Sequence, residues 1–210
     1  MDKINKWQKE IEEITSEVED LLYSKYHAEE LEKIIKANNF VKQHIGSFWN
    51  HYKLNYTFFI ISKIWHQIDK NSDSLSLINL LKDLLNNHKL ITKKWWVSQG
   101  DFLSTEEFED KFGEGEYLDP AIISEDIKNL EEAANEIKQF RHKNIGHKDN
   151  TGMFPSSISN TKVQEAMNQI ETLVKKYQLL LTQSGYDSLT PVADDWQIAF
   201  TKPWIIVNER

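Results

Sequence analysis

The sequence predicts an all-α fold, an antiparallel bundle of about five long helices with negligible sheet. Apolar residues recur at alternating steps of three and four along several long segments, and this spacing places them on one face of a helix. Hydrophobic residues make up 40% and aromatic residues 11% of the 210 positions, which is typical of a folded globular chain that buries a core. We expect residues 1–185 to form the bundle and residues 186–210 to form a tail that packs on it.

Composition and charge narrow the possible functions. The formal net charge is −8, which excludes a protein that coats nucleic acid by charge alone, so any RNA contact must be a local basic patch. There are no cysteines, which excludes disulfides and thiolate metal sites and fits a reducing cytosol. The N-terminus lacks an apolar signal-peptide core, and the longest apolar cluster, residues 58–61, is too short to span a bilayer. We therefore expect a cytoplasmic protein without membrane contact.

Two long helices are predicted first, at residues 3 to about 36 and at residues 39–69. Between Phe58 and Ile68 nearly every side of the second helix is apolar, which predicts deep burial. His44 and His51 share a face of this helix, but no third ligand joins them, so packing is favoured over a metal site. The apolar stripes consist of Ile4, Trp7, Ile11, Ile14, Val18 and Leu21, and of Val41, Ile45, Phe48, Tyr52, Tyr56 and Phe59.

The middle of the chain is less regular. A third helix is predicted from residue 77 to about residue 91. Residues 93–96, Lys-Lys-Trp-Trp, combine cations with flat rings, a mixture that suits a stacking platform for single-stranded nucleic acid. The same mixture suits a loop that one tryptophan anchors in the core, and we favour the loop. One short helix is expected at residues 105–111.

A fourth helix carries the candidate site. Asp119 and Pro120 mark its start, because aspartate caps helices and proline suits the first helical position. Apolar residues then step by four and three, and the next position along that stripe is Arg141. A guanidinium on an apolar face is costly unless it meets an anion or a carboxylate, so Arg141 is either functional or paired with a buried acidic residue. The stripe consists of Ile123, Ile127, Leu130, Ala134 and Ile137.

The last long helix is predicted to begin near Thr161, where Thr161 and Gln164 resemble a capping box, and to stop at Gly185. Two short apolar segments follow in the tail, at residues 196–200 and 204–207. They suit a short C-terminal β-hairpin.

Residues 140–149, Phe-Arg-His-Lys-Asn-Ile-Gly-His-Lys-Asp, carry the densest chemistry in the chain. Arg141 is the only arginine apart from the C-terminal Arg210, which indicates a need for a planar, forked donor that lysine cannot supply. Arg141, the polar His142 beside it, and His147 resemble the R-polar-x(3–5)-H motif of the HEPN superfamily. The whole run is most similar to the branch associated with abortive phage infection.

This resemblance implies a metal-independent endoribonuclease without a cofactor, acting in phage defence or in a toxin–antitoxin system with a neutralising protein partner. It also implies a four- or five-helix bundle that pairs as a homodimer with its motifs at the interface. An ideal helix separates Arg141 and His147 by about 9 Å of rise and about 240° of rotation. Either the helix distorts near Gly146 or a second copy completes the site.

The residue types fit this chemistry. Histidine titrates near neutrality and can take a proton from a 2′-hydroxyl or give one to a leaving 5′-oxygen. Arginine forms bidentate hydrogen bonds to phosphate oxygens where charge accumulates. The predicted catalytic residues are therefore Arg141 for the phosphate, His147 for proton transfer, and His142 for orientation or a second proton transfer. Flanking residues are predicted to bind RNA, namely Lys143, Asn144 and Lys148, and Asp149 is a candidate for orienting His147.

Two other functions are compatible with the same residues. One is a helical module that binds RNA, a nucleotide or a protein partner through a dimer interface without catalysis. The other is a structural protein in which Arg141 and His147 only satisfy each other and nearby carboxylates. The ribonuclease activity of a motif variant distinguishes these functions from catalysis.

Overall fold

The computed structural model describes residues 2–100, 103–142, 158–191 and 195–201. The fold is all-α, as predicted, and within these ranges the one β feature is an isolated bridge between Thr92 and Tyr117. The α-helices are α1 (Lys3–Ala37), α2 (Asn39–His44), α3 (Gly46–Ile68), α4 (Leu77–Asn86), α5 (Lys93–Val97), α6 (Thr105–Phe112), α7 (Pro120–Ala133), α8 (Asn135–Arg141) and α9 (Asn160–Thr182). Two 3-10 helices, His88–Leu90 and Trp196–Thr201, complete the described elements.

The first and last long helices pack antiparallel. The predicted stripe of α1 is buried from Trp7 onward, because its apolar residues keep the helical spacing. Gln8 donates to the carbonyl of Leu181 at 2.8 Å, and Thr15 donates to the side chain of Gln178 at 2.9 Å. Because the partner number falls as the α1 number rises, the two helices run in opposite directions.

Polar contacts fix the other two long helices against this pair. His66 Nδ1 of α3 lies 2.7 Å from the carboxylate of Glu17 on α1. Asp126 of α7 accepts hydrogen bonds from the Tyr177 hydroxyl at 2.8 Å and from Lys176 Nζ at 2.6 Å, both on α9. Asp126, in the middle of α7, thus ties that helix to the C-terminal half of α9, and α1, α3, α7 and α9 pack into one bundle.

The prediction of one second helix with deep burial from Phe58 was wrong in two respects. The helix is interrupted at Ile45, which separates α2 from α3. Phe48 remains 63% exposed and Phe59 remains 40% exposed. Full burial begins only at Ile60, because the stripe that faces the bundle is formed by isoleucines instead of by the aromatic residues: Ile60, Ile61, Ile64 and Ile68.

A side layer covers one end of the bundle. The Lys-Lys-Trp-Trp segment forms the short helix α5, and Trp96 is fully buried against Phe108 and Phe112 of α6. One tryptophan thus anchors this segment in the core, although as a helical turn instead of a loop. The predicted third helix is also shorter than expected, because α4 ends at Asn86 and a 3-10 turn follows.

The prediction of a C-terminal β-hairpin was wrong for its first strand. Residues Trp196–Thr201 form a 3-10 helix, and residues 204–207 lie outside the described residues. Contacts with α1 hold this turn, because the Trp196 ring stacks on His27 at 4.8 Å and Gln197 donates to the Tyr26 hydroxyl at 3.0 Å. The last helix begins one residue before Thr161, since Ser159 is its cap and accepts from the Thr161 amide.

Candidate functional site

The helix that carries Arg141 is interrupted at Ala134, where α7 ends and α8 begins. The interruption changes which residues of α8 face the core. Ile137 is fully buried and Phe140 is 8% exposed, whereas Arg141 is half-buried at the edge of the bundle. The guanidinium therefore does not continue the apolar stripe into the core, and its desolvation costs less than the unbroken stripe implied.

Trp65 of α3 contacts both described residues of the motif. The guanidinium carbon of Arg141 lies over the Trp65 ring, 4.8 Å from its centre. The His142 ring meets the same tryptophan edge-on, with the ring centres 5.0 Å apart. A cation on the face of a tryptophan contributes about 0.5–2 kcal/mol, more as the pair is desolvated. One half-buried ring thus positions both described residues of the motif.

The sequence left open that Arg141 pairs with a buried acidic residue, and no such residue pairs with it in the described part of the chain. The ion pairs there involve lysine or histidine, and none of them involves Arg141. Arg141 acts electrostatically on Asp69. Hydrogen bonds from the Ser74 hydroxyl and the Asn71 amide hold the pKa of Asp69 below its usual value, with smaller contributions from His66 and from the positive charge of Arg141. A carboxylate therefore stays charged near the guanidinium without binding it.

A cleft lies beside this arrangement. Trp65 forms one wall, and the side chains around it include Asp69, Asn71, Asn135 and Lys138. Amide and carboxylate groups of this kind can accept from or donate to the edges of a nucleobase, and a tryptophan ring can stack on its face. The cleft has the chemistry to hold a base next to a phosphate bound at Arg141.

The remaining predicted site residues cannot be compared with the structure. Lys143, Asn144, His147, Lys148 and Asp149 lie outside the described residues, and so does Gly146. His142, at the C-cap of α8, is exposed and keeps a right-handed helical conformation. The structure thus brings together Arg141, His142 and Trp65, of which sequence reasoning had missed only Trp65.

Two further findings concern ligands and membranes. His44 bonds the Phe40 carbonyl at 2.8 Å, and His51 bonds the Asn55 side chain at 3.1 Å, so each of these two histidines has a partner within its own helix region. In the described residues no three His, Asp or Glu side chains come together as a metal site. None of the helices there has the length and apolar character needed to cross a bilayer.

An all-α bundle with Arg141 and the polar His142 at the end of a helix resembles the proteins of the HEPN superfamily. The model of the HEPN family described as AbiU2 matches residues 4–199. The chain therefore belongs to the AbiU2 family, an abortive-infection branch of the HEPN superfamily. No curated protein and no solved structure matches it.

Proposed function

We propose that this protein is a metal-independent endoribonuclease that cleaves RNA through the substrate's own 2′-hydroxyl. It would act in phage defence or as the toxin of a toxin–antitoxin system that a protein partner neutralises. Membership of an abortive-infection HEPN family supports the proposal. The structural observation that carries it is the Arg141 guanidinium lying over Trp65, because a contact through the ring face leaves the N–H donors at the guanidinium edge available to a phosphate.

The proposed reaction assigns each proton to a residue of the motif. His147 takes the proton from the 2′-hydroxyl, and the 2′-oxygen attacks phosphorus while the bond to the 5′-oxygen breaks. The leaving 5′-oxygen receives a proton from His142 or from a second histidine. Arg141 donates to the non-bridging oxygens, where negative charge accumulates in the transition state. The products are a 2′,3′-cyclic phosphate and a 5′-hydroxyl.

The site is proposed to be completed by a second copy of the chain. Arg141 is half-buried and His142 is exposed at the edge of the bundle, so the motif end of α8 is open to a partner surface. A symmetric dimer would bring two such ends together and supply a second set of histidines. Sedimentation at micromolar concentration should find a dimer, and a species of 24.7 kDa alone would contradict this part of the proposal.

The catalytic proposal is tested with a labelled single-stranded RNA and purified protein in excess EDTA. We expect cleavage that leaves 2′,3′-cyclic phosphate ends, and no cleavage of DNA of the same sequence, which lacks the 2′-hydroxyl. His147→Ala should abolish cutting, whereas His88→Ala, on the 3-10 turn after α4, should not. Activity that disappears with EDTA and returns with magnesium would refute the mechanism. Binding of RNA without cutting would instead identify a non-catalytic module.

A further inference from the structure

A long segment of this acidic protein contains no acidic residue. Residues 33–68 hold five lysines and three histidines but no Asp or Glu, although the chain has 33 acidic residues in total. The segment comprises the end of α1, all of α2 and all of α3. The segment is therefore positive where the protein as a whole is negative. Three of its lysines pair with carboxylates of α1, namely Lys33 with Glu30, Lys36 with Glu32 and Lys63 with Asp20.

Large aromatic side chains of this segment remain in solvent. Phe40 is 71% exposed and Phe48 is 63% exposed, and Phe58 and Phe59 are 37% and 40% exposed. Exposed rings in such number on adjacent helices indicate an interaction surface. We call this surface the α2–α3 face and define it by Phe40, Lys42, Phe48, His51, Phe58 and Phe59.

The face leads to the candidate site. Phe48, His51 and Phe59 recur at helical spacing on the side of α3 opposite the buried isoleucines, and α3 continues from them to Trp65, under Arg141. From Phe48 to Trp65 the helix rises about 26 Å. A flexible chain lying along α3 would therefore have one part on the face and another at the guanidinium.

Charge along the face is distributed unevenly. At the Trp65 end, α1 sets Glu17 against His66 and Asp20 beside Lys63. Toward α2, Lys42 forms no ion pair with a described carboxylate. The part of the face farthest from Arg141 therefore keeps an unpaired positive charge.

We propose that the α2–α3 face binds single-stranded RNA and delivers it to Arg141. Exposed rings stack on bases of any sequence, and the unpaired Lys42 beside them attracts the phosphates, which is the combination that single-stranded nucleic acids require. A symmetric contact with a second copy is disfavoured, because both surfaces would carry cations and no carboxylate to pair with them. The inference rests on the proposed function, since the RNA bound here is the substrate of that site.

The test measures binding separately from cleavage. The probe is a fluorescein-labelled decamer of 2′-O-methyluridine, which cannot be cut because its 2′-oxygen is blocked, and the measurement is fluorescence anisotropy. Two variants remove the two features of the face, the double variant Phe48→Ser with Phe59→Ser and the single variant Lys42→Glu. Each should weaken binding by about tenfold or more. All three side chains are exposed, so the variants should unfold at the wild-type temperature.

Matched controls remove the same chemistry elsewhere. Leu90→Ser with Tyr117→Ser removes side chains that are 45% and 38% exposed outside the face. Lys89→Glu makes the same change of charge on an exposed lysine beyond α3. Both controls should bind the decamer within about twofold of the wild type, because their side chains lie outside the face. This result would exclude a general loss of apolar surface or of positive charge as the cause of weaker binding.

Two results overturn the inference. One is a decamer that does not bind, or that binds equally to the wild type and both face variants. The other is conversion of a dimer to a monomer by the face variants in sedimentation, since the face would then be an interface between copies. Face-dependent binding without cleavage of unmodified RNA leaves the inference standing and refutes the catalytic proposal. Cleavage that the face variants do not alter, with unchanged binding, refutes the inference alone.

Discussion

The guanidinium of Arg141 lies over the ring of Trp65, with 4.8 Å between the guanidinium carbon and the ring centre. The two residues come from different helices, α8 and α3, which pack together in the bundle. The position of the Arg141 side chain therefore depends on a residue far away in the sequence. This dependence makes Trp65 a positioning residue in the proposed reaction, and it can be tested apart from the motif.

Trp65→Ala should lower the rate of RNA cleavage by about a hundredfold, because a small displacement of a group that stabilises the transition state has an effect of that size. Trp65→Phe should retain most of the activity, since it keeps a ring face under the guanidinium. Single-turnover cleavage measures the effect. Trp95→Ala, which removes another half-buried tryptophan on α5, is the control and should cut at the wild-type rate.

A structural role for Trp65 predicts a different pattern. In that case Trp65→Ala and Trp65→Phe would lower the midpoint of urea unfolding and the cleavage rate in proportion. Combining Trp65→Ala with Arg141→Ala separates the two roles further. If Trp65 acts through Arg141, the double variant should be no slower than Arg141→Ala alone.

Arg141→Lys should reduce cleavage by about a hundredfold to a thousandfold, the usual loss when one donor to a developing oxyanion is removed. The substitution keeps the positive charge but replaces a planar fork with a single ammonium group, which cannot bind two phosphate oxygens at once. The rate is measured with saturating RNA, so that weaker binding does not contribute. Lys89→Arg, an exposed exchange in the opposite direction, should change nothing. Full activity in Arg141→Lys would show that charge alone suffices.

The long helices could be predicted from sequence because local rules decide them. The stripe of α1 has regular spacing throughout, and Asp119 caps α7 as expected, accepting from the Ala121 amide at 2.8 Å. The interruption at Ala134 could not be predicted, since no proline or glycine lies near it. The exposure of Phe48 was equally hidden, because an apolar stripe shows which face is apolar but not how far the neighbouring helices extend.

The candidate site divides in the same way. The motif that contains Arg141 and His142 is a run of neighbouring residues, so sequence alone is enough to propose it as the site. Trp65 was missed because its contact with Arg141 joins two helices through tertiary packing, and the apolar run around it indicated only burial. An arginine that ends a core helix signals a need for a partner. Nothing in the sequence indicates that an aromatic face, instead of a carboxylate, would be that partner.

Trp96→Ala should destabilise the protein by about 3–5 kcal/mol, the usual cost of removing a large aromatic side chain from a core. Trp96 is fully buried between Phe108 and Phe112, so its ring cannot stack on a base. Urea unfolding measures the stability, and anisotropy with the 2′-O-methyl decamer at low urea measures binding. If the variant remains folded but binds the decamer more weakly, the Lys-Lys-Trp-Trp segment would act as a stacking platform after all.

Tyr177→Phe should lower the free energy of unfolding by about 1.5–3 kcal/mol near neutral pH, the usual contribution of a hydrogen bond to a charged group. The Tyr177 hydroxyl is buried and donates to Asp126 at 2.8 Å. Burial, together with the negative charge of Asp126, raises the pKa of Tyr177 well above its ordinary value. Tyr186→Phe, at a side chain that is 40% exposed, is the matched control and should have little effect.

Because the Tyr177 hydroxyl can ionise, the difference in unfolding free energy between wild type and Tyr177→Phe should depend on pH. A tyrosine whose folded pKa is raised stabilises the fold fully below its unfolded pKa of about 10 and loses that contribution as the pH rises toward the folded value. Above about pH 10 the unfolded wild type releases a proton that the folded protein retains, whereas the phenylalanine variant has none to release. The gap between their unfolding free energies should therefore narrow from about pH 10 upward. Lys176, the other partner of Asp126, is present in both proteins, so its own contribution largely cancels in the comparison. The measurement is urea unfolding at a series of pH values. A difference in unfolding free energy that stays constant above about pH 10 would mean that Tyr177 ionises equally in the folded and unfolded states, contrary to its burial against a carboxylate.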